Sequence, residues 1–118
     1  NLHNWLARDT MQATMLEAYD ALKSGGYFGV VEHRAPEGSS MEYMTTSGYV
    51  AQSLAIEVAE SVGFTLVETS EINANSKDTK DHPKGVWTLP PSYRLKDENR
   101  SKYEAMGESD RMTLLFMR

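Results

Sequence analysis

Across residues 9–23 the apolar positions Met11, Met15, Ala18, Tyr19 and Leu22 recur at steps of three and four, which sets them on one face of an α-helix. Asp9 or Thr10 offers a short side-chain oxygen for its N-cap, and Gly25 and Gly26 supply the left-handed backbone that closes a helix. Residues 27–32 are aromatic and β-branched and read as a short buried strand. Residues 36–46 mix Gly, Ser and Met without a period, so a loop is expected there. A second stripe, Ala51, Leu54, Ala55, Val58, Ala59 and Val62, predicts a helix over residues 47–62, ended by Gly63. Residues 64–69 and 110–117 alternate with a period of two and predict strands. Between them, residues 71–107 are dense in Asn, Lys and Asp and carry Pro83, Pro90 and Pro91. An irregular excursion is expected, and Trp87 argues that it is anchored rather than disordered.

A chain of 118 residues supports one ordinary core, so a single domain is expected. The 12 Lys and Arg against 17 Asp and Glu give a net charge of −5 with the basic residues dispersed, which argues against a phosphate-binding surface and hence against nucleic acid as a partner. With no Cys there is no disulfide, thiolate metal site or cysteine nucleophile, and any metal would rely on three His and on carboxylates. No apolar run approaches the ~20 residues of a membrane span, and residues 1–5 do not read as a signal peptide. A soluble chain is expected, the cytoplasm being favoured over other compartments. The first residue is Asn, as in a sequence that begins inside a longer reading frame or after a removed tag.

Several phrases, taken in order, resemble the C-terminal half of a class I S-adenosylmethionine-dependent methyltransferase, within a group of predicted bacterial methyltransferases of unassigned substrate. Asn1-Leu2-His3-Asn4-Trp5 resembles the segment leaving the fourth strand of that fold. Ala21-Leu22-Lys23-Ser24-Gly25-Gly26 and residues 27–33 resemble the Leu-Lys-Pro-Gly-Gly turn and the fifth strand, with Ser24 in place of the usual Pro. Residues 59–68 are similar to the helix running into strand six, and Glu108-Ser109-Asp110-Arg111 to the lead into strand seven. Lys77-Asp78-Thr79-Lys80 and Gly85-Val86-Trp87-Thr88-Leu89-Pro90-Pro91 are similar to the insertion between the last two strands. The phrases at 1–5 and 77–91 are the more specific ones.

The resemblance implies an α/β, partial Rossmann-like methyltransferase fold. It would have a small mixed sheet of two parallel strands, 27–32 and 64–69, joined by a right-handed crossover, with the last strand antiparallel between them and helices packed on it. It also implies S-adenosylmethionine as cofactor of a complete family member. The Gly-rich turn after strand one and the acidic residue after strand two are not in this sequence, so no cofactor is expected to bind this chain alone. Gly25, Gly26 and Gly29 follow a helix and precede a strand, the reverse of a phosphate-binding loop. Without strand four, the edge at 27–32 would stand open and invite a symmetric homo-oligomer.

His3 and His33 are the expected catalytic residues, assisting deprotonation of a small-molecule acceptor; Asn4, Trp5, Arg34 and Trp87 are the expected acceptor contacts. The alternatives are a frayed terminus at residues 1–5 and a solvated loop in which Arg34 pairs with Glu32 or Glu37. His82, among Asp78, Asp81 and three lysines, matches no ligand spacing, and no metal site is expected. Two functions follow from the resemblance. One is a methyltransferase lacking its donor-binding half; the other is a non-enzymatic binding or assembly module made from the same fold.

Overall fold

The computed structural model describes residues 1–118. The stripe at 9–23 forms α2 (Met11–Ala21), and a shorter helix, α1 (Leu2–Ala7), precedes it. α1 is not expected from the sequence, in which residues 1–5 are similar only to a segment leaving a strand. Leu2 is buried, and a carboxylate from the next strand accepts the His3 N–H, one of the first-turn donors a helix leaves unpaired. Thr10 stands at the N-cap of α2, but its hydroxyl donates to the Trp5 carbonyl instead of capping. At the other end of α2 the Arg118 guanidinium donates to the carbonyls of Tyr19, Asp20 and Leu22, placing a cation where the helix dipole is negative.

β1 (Tyr27–Ala35) runs three residues beyond the expected strand. The loop expected at 36–46 contains α3 (Met41–Ser47), whose N-cap Ser40 side chain accepts the Tyr43 N–H. A two-residue strand, β2 (Val50–Ala51), then leads into α4 (Gln52–Ser61), so the second predicted helix starts five residues late. β3 (Thr65–Ser70), a 3-10 turn (Gly85–Thr88), α5 (Arg100–Met106) and β4 (Arg111–Met117) complete the chain.

The sheet order is β2-β1-β4-β3. β4 lies antiparallel to both neighbours, with Val30 opposite Leu114 and Leu66 opposite Phe116, so β1 and β3 share one direction with β4 between them. This is the expected arrangement for those three. The fourth strand is a correction: β2 pairs parallel with β1 at Arg34 and Ala35. Over 27–33 no strand pairs with the outer side of β1.

Alternation along the strands gives the sheet one covered and one open face. Val30, Met112, Leu114 and Phe116 point to the helices and form a core with Leu2, Met11, Met15, Ala55, Ala59 and Phe64. Phe64 stacks on Phe28 at 5.0 Å and meets the Tyr19 ring edge-on at 5.2 Å. The turn from α4 into β3 needs glycine: Gly63 has φ +119°, and a Cβ there would lie 2.8 Å from the Tyr19 ring. On the open face Tyr27 and Val31 are exposed, Val67 is exposed at the bulge of β3, and no helix of the chain is long and apolar enough to cross a membrane.

A second, smaller core of Ala35, Met44, Tyr49, Ala51 and Val86, with Trp87 against it, fastens the long excursion to the end of β1. Its packing brings backbone close to backbone. A Cβ on Gly85 would overlap the Ser47 main chain, and one on Gly48 would lie 2.8 Å from Val86 and 3.0 Å from Trp87. That approach seats Trp87 beside the last residues of β1, where the polar side chains gather.

Candidate functional site

Glu32 is the one carboxylate in an otherwise apolar stretch of β1, and alternation turns it towards α1, where it is 3% exposed. Its Oε1 accepts the His3 N–H at 2.5 Å and lies 2.7 Å from His3 Nδ1; Oε2 accepts the His33 N–H at 2.9 Å. Burial alone would raise the pKa of this carboxyl. The His3 ring and the two N–H groups outweigh it and hold Glu32 below the usual carboxylate range.

His33, the next residue, points to the opposite side of the strand. The β1–β4 register puts it across from Arg111, and its Nδ1 lies 2.5 Å from the hydroxyl of Ser109, just before β4. Burial is the main cause that pulls the His33 pKa down, to about 4, with the neighbouring His3 and Arg111 charges adding and Glu32 opposing. The ring is therefore neutral near pH 7. With Nδ1 on Ser109, its Nε2 is left without a partner in the protein.

The His3 and His33 ring centroids are 5.3 Å apart, and His3 also meets Trp87 edge-on at 6.2 Å. Two cavities flank His33. One, about 230 Å³, is lined by Asn1, His3, Val31, Glu32, His33 and Arg111. The other, about 200 Å³, runs under Trp87 between His33, Ser109 and Pro90-Pro91. His3, His33 and Trp87 are thus brought together from three distant segments. Asn4 is exposed on α1, while Trp5 packs against the main core and borders a separate cavity of about 110 Å³ with Phe28.

Arg34 is engaged elsewhere. Its Nε and one terminal nitrogen grip Asp110 at 3.0 and 3.1 Å, and the other terminal nitrogen reaches Glu71 at 2.8 Å and Gln52 at 3.0 Å. The fork braces β1 against the lead into β4 and lines neither cavity beside His33. These carboxylates drive the guanidinium still further above its ordinary range.

Behind this brace lies a buried latch. The Asp78 carboxylate accepts the Tyr49 hydroxyl at 2.8 Å, the Lys80 and Asp110 N–H groups at 2.9 Å each, and faces His82 Nε2 at 2.8 Å. The His82 side chain is only 2% exposed, so it holds the excursion in place. Burial and the Asp78 charge push the Tyr49 hydroxyl well above its ordinary pKa.

Asp110 gives a pH-dependent consequence. Burial favours its protonated form, but Arg34, Lys80 at 2.8 Å and the Asn75 N–H overcome that and hold it at about 2, against an ordinary 3.8. A depressed carboxylate stabilises the fold above its unfolded pKa and loses that stabilisation as pH falls through the folded one. Urea unfolding is expected to show about 2 kcal/mol of stability lost between pH 5 and pH 2 through this group. Asp110→Asn should flatten that segment of the profile; an unchanged slope would contradict the assignment.

Sequence reasoning singled out His3, His33 and Trp87 but missed Glu32 and Ser109. The available signal for Glu32 was a carboxylate at the end of a strand read as buried. For Ser109 there was none, since its partner is 76 residues away. No family model, curated protein or solved structure matches this chain. What the fold establishes is an α/β protein with a four-stranded mixed sheet, one parallel pair and two antiparallel ones, carrying a polar crevice near the carboxyl end of β1.

Proposed function

We propose that this crevice is the acceptor-side wall of a class I S-adenosylmethionine-dependent methyltransferase, of which the chain forms the C-terminal half. The carrying observation is convergence: His3, His33 and Trp87 come from three separate phrases of the resemblance, two of them its more specific ones, and meet in one place. The order of β1, β4 and β3, with an antiparallel strand between two that run together, supports the same reading.

On this reading the chain's own residues act on the acceptor. Trp87 offers an apolar wall that excludes water from one side of the crevice. His33, held by Ser109 and neutral, turns its free Nε2 to the acceptor, and together with His3 it orients the reacting group and assists loss of its proton. These 118 residues do not fit the donor, because neither the Gly-rich strand-loop-helix nor the ribose-binding acid is among them.

Calorimetric titration with S-adenosylmethionine and S-adenosylhomocysteine tests the division. The 118-residue chain is expected to give no heat at high micromolar ligand, while the polypeptide encoded by the complete reading frame binds both. Specific binding by the short chain, or silence from the complete one, would overturn the reading. The exposed Val31, which with Leu115 lines a cavity of about 300 Å³ on the sheet, and the exposed Tyr27 on the same strand favour a second reading, a non-enzymatic assembly module. Silence from the complete polypeptide together with self-association of the chain would select it.

A further inference from the structure

We propose that His3, Glu32 and His33 bind one divalent transition-metal ion of the zinc class, with a coordination position left open to the crevice. This site goes beyond the methyl-transfer reading and does not require it. One ligand atom from each of the three residues lies within 4.8 Å of the other two, and no other group of three His, Asp or Glu side chains in the chain is so placed. Two imidazoles and a carboxylate form a donor set suited to zinc, iron, nickel or cobalt, and three protein ligands leave room for a fourth.

The surroundings hold the donors in position. Glu32 is fixed by the His3 and His33 N–H groups, and Ser109 engages His33 Nδ1, which leaves Nε2 as the ring nitrogen without a protein partner. A hydrogen-bonded partner on the far ring nitrogen is what metal-binding histidines ordinarily have. The remaining histidine is not available, since His82 is buried against Asp78. Arg111 lines the same cavity, but its charge is met by Glu108 at 2.9 Å.

Metal entry replaces the proton now shared by His3 and Glu32. Their 2.7 Å contact is closer, and the 4.8 Å span wider, than the edge of about 3.3 Å in a tetrahedral set with bonds of ~2.0 Å. The two rings and the carboxylate would adjust by about 1 Å to enclose the ion. The adjoining cavity, about 230 Å³, easily admits a water or an acceptor oxygen on the open position. Bound there, a water or hydroxyl group would release its proton to solvent more readily.

The test uses the metal-free 118-residue chain, titrated with zinc by calorimetry and with cobalt by visible absorption. One equivalent binding at micromolar concentration supports the site when zinc also displaces the cobalt colour. His33→Ala and Glu32→Gln should each weaken binding by at least about tenfold, Ser109→Ala by about tenfold, and His82→Ala not at all. Because Glu32→Gln can loosen α1, the wild-type chain supplies a second readout: the ring signals of His3 and His33, not His82, should shift in NMR spectra on adding zinc. No stoichiometric binding, binding that survives both His33→Ala and Glu32→Gln, or shifts confined to His82 would overturn the proposal.

Discussion

Replacing Asp78 with Ala is expected to lower the unfolding free energy by about 4 kcal/mol, one of the two largest effects of any single change in this chain. The carboxylate is completely buried and gathers the Tyr49 hydroxyl, His82 and two backbone N–H groups from three separate segments, beside the Lys80–Asp110 ion pair and the smaller core that also join them. Each buried donor left unmatched costs roughly 1–3 kcal/mol, and water entering beside Lys80 recovers only part of that sum. Asp78→Asn keeps the volume but halves the accepting capacity and is expected to cost about 2 kcal/mol. The consequence reaches the crevice, because the latch holds the same excursion that carries Trp87. Urea denaturation followed by tryptophan fluorescence checks both points. An Asp78→Ala variant within about 1 kcal/mol of wild type would show that the latch does not hold the fold.

The elements legible in the sequence were those long enough to show a period. α2 and α4 each span ten or more residues with an apolar stripe, and β4 alternates without interruption. α1, α3 and β2 are six, seven and two residues long. At that length hydrophobic spacing carries almost no information, and the helices are sustained by a tertiary contact, Glu32 on α1, and by a local cap, Ser40 on α3. The two-residue β2 exists because Arg34 and Ala35 extend β1 past its apolar run.

The crevice was legible only in part, for a similar reason. Histidine and tryptophan announce their chemistry wherever they stand, so His3, His33 and Trp87 could be singled out from sequence. Their partners could not. Local reading sets Arg34 beside Glu32 or Glu37, yet its partner is Asp110, 76 residues on, because the β1–β4 register places His33 opposite Arg111. The same register delivers Ser109 to His33. Pairing across a sheet is fixed by strand order, and strand order came from the family resemblance rather than from periodicity.

The other large effect belongs to His33, and it tests the central claim most directly. If, as proposed, the crevice receives a methyl acceptor and the chain belongs to a longer methyltransferase, His33→Ala in that polypeptide removes the one ring whose Nε2 stands without a protein partner beside Trp87. Loss of a group that orients the acceptor and assists its deprotonation is worth about 100-fold in turnover, or about 2.7 kcal/mol of barrier. Ser109→Ala, which only frees the ring to rotate, should cost about tenfold. The measurement is transfer of labelled methyl groups from S-adenosylmethionine by the complete polypeptide, wild type against His33→Ala, with donor affinity followed in parallel. The expected result is a fall of about 100-fold in transfer at unchanged donor affinity. Equal transfer by the two proteins would contradict the placement of the acceptor at this crevice.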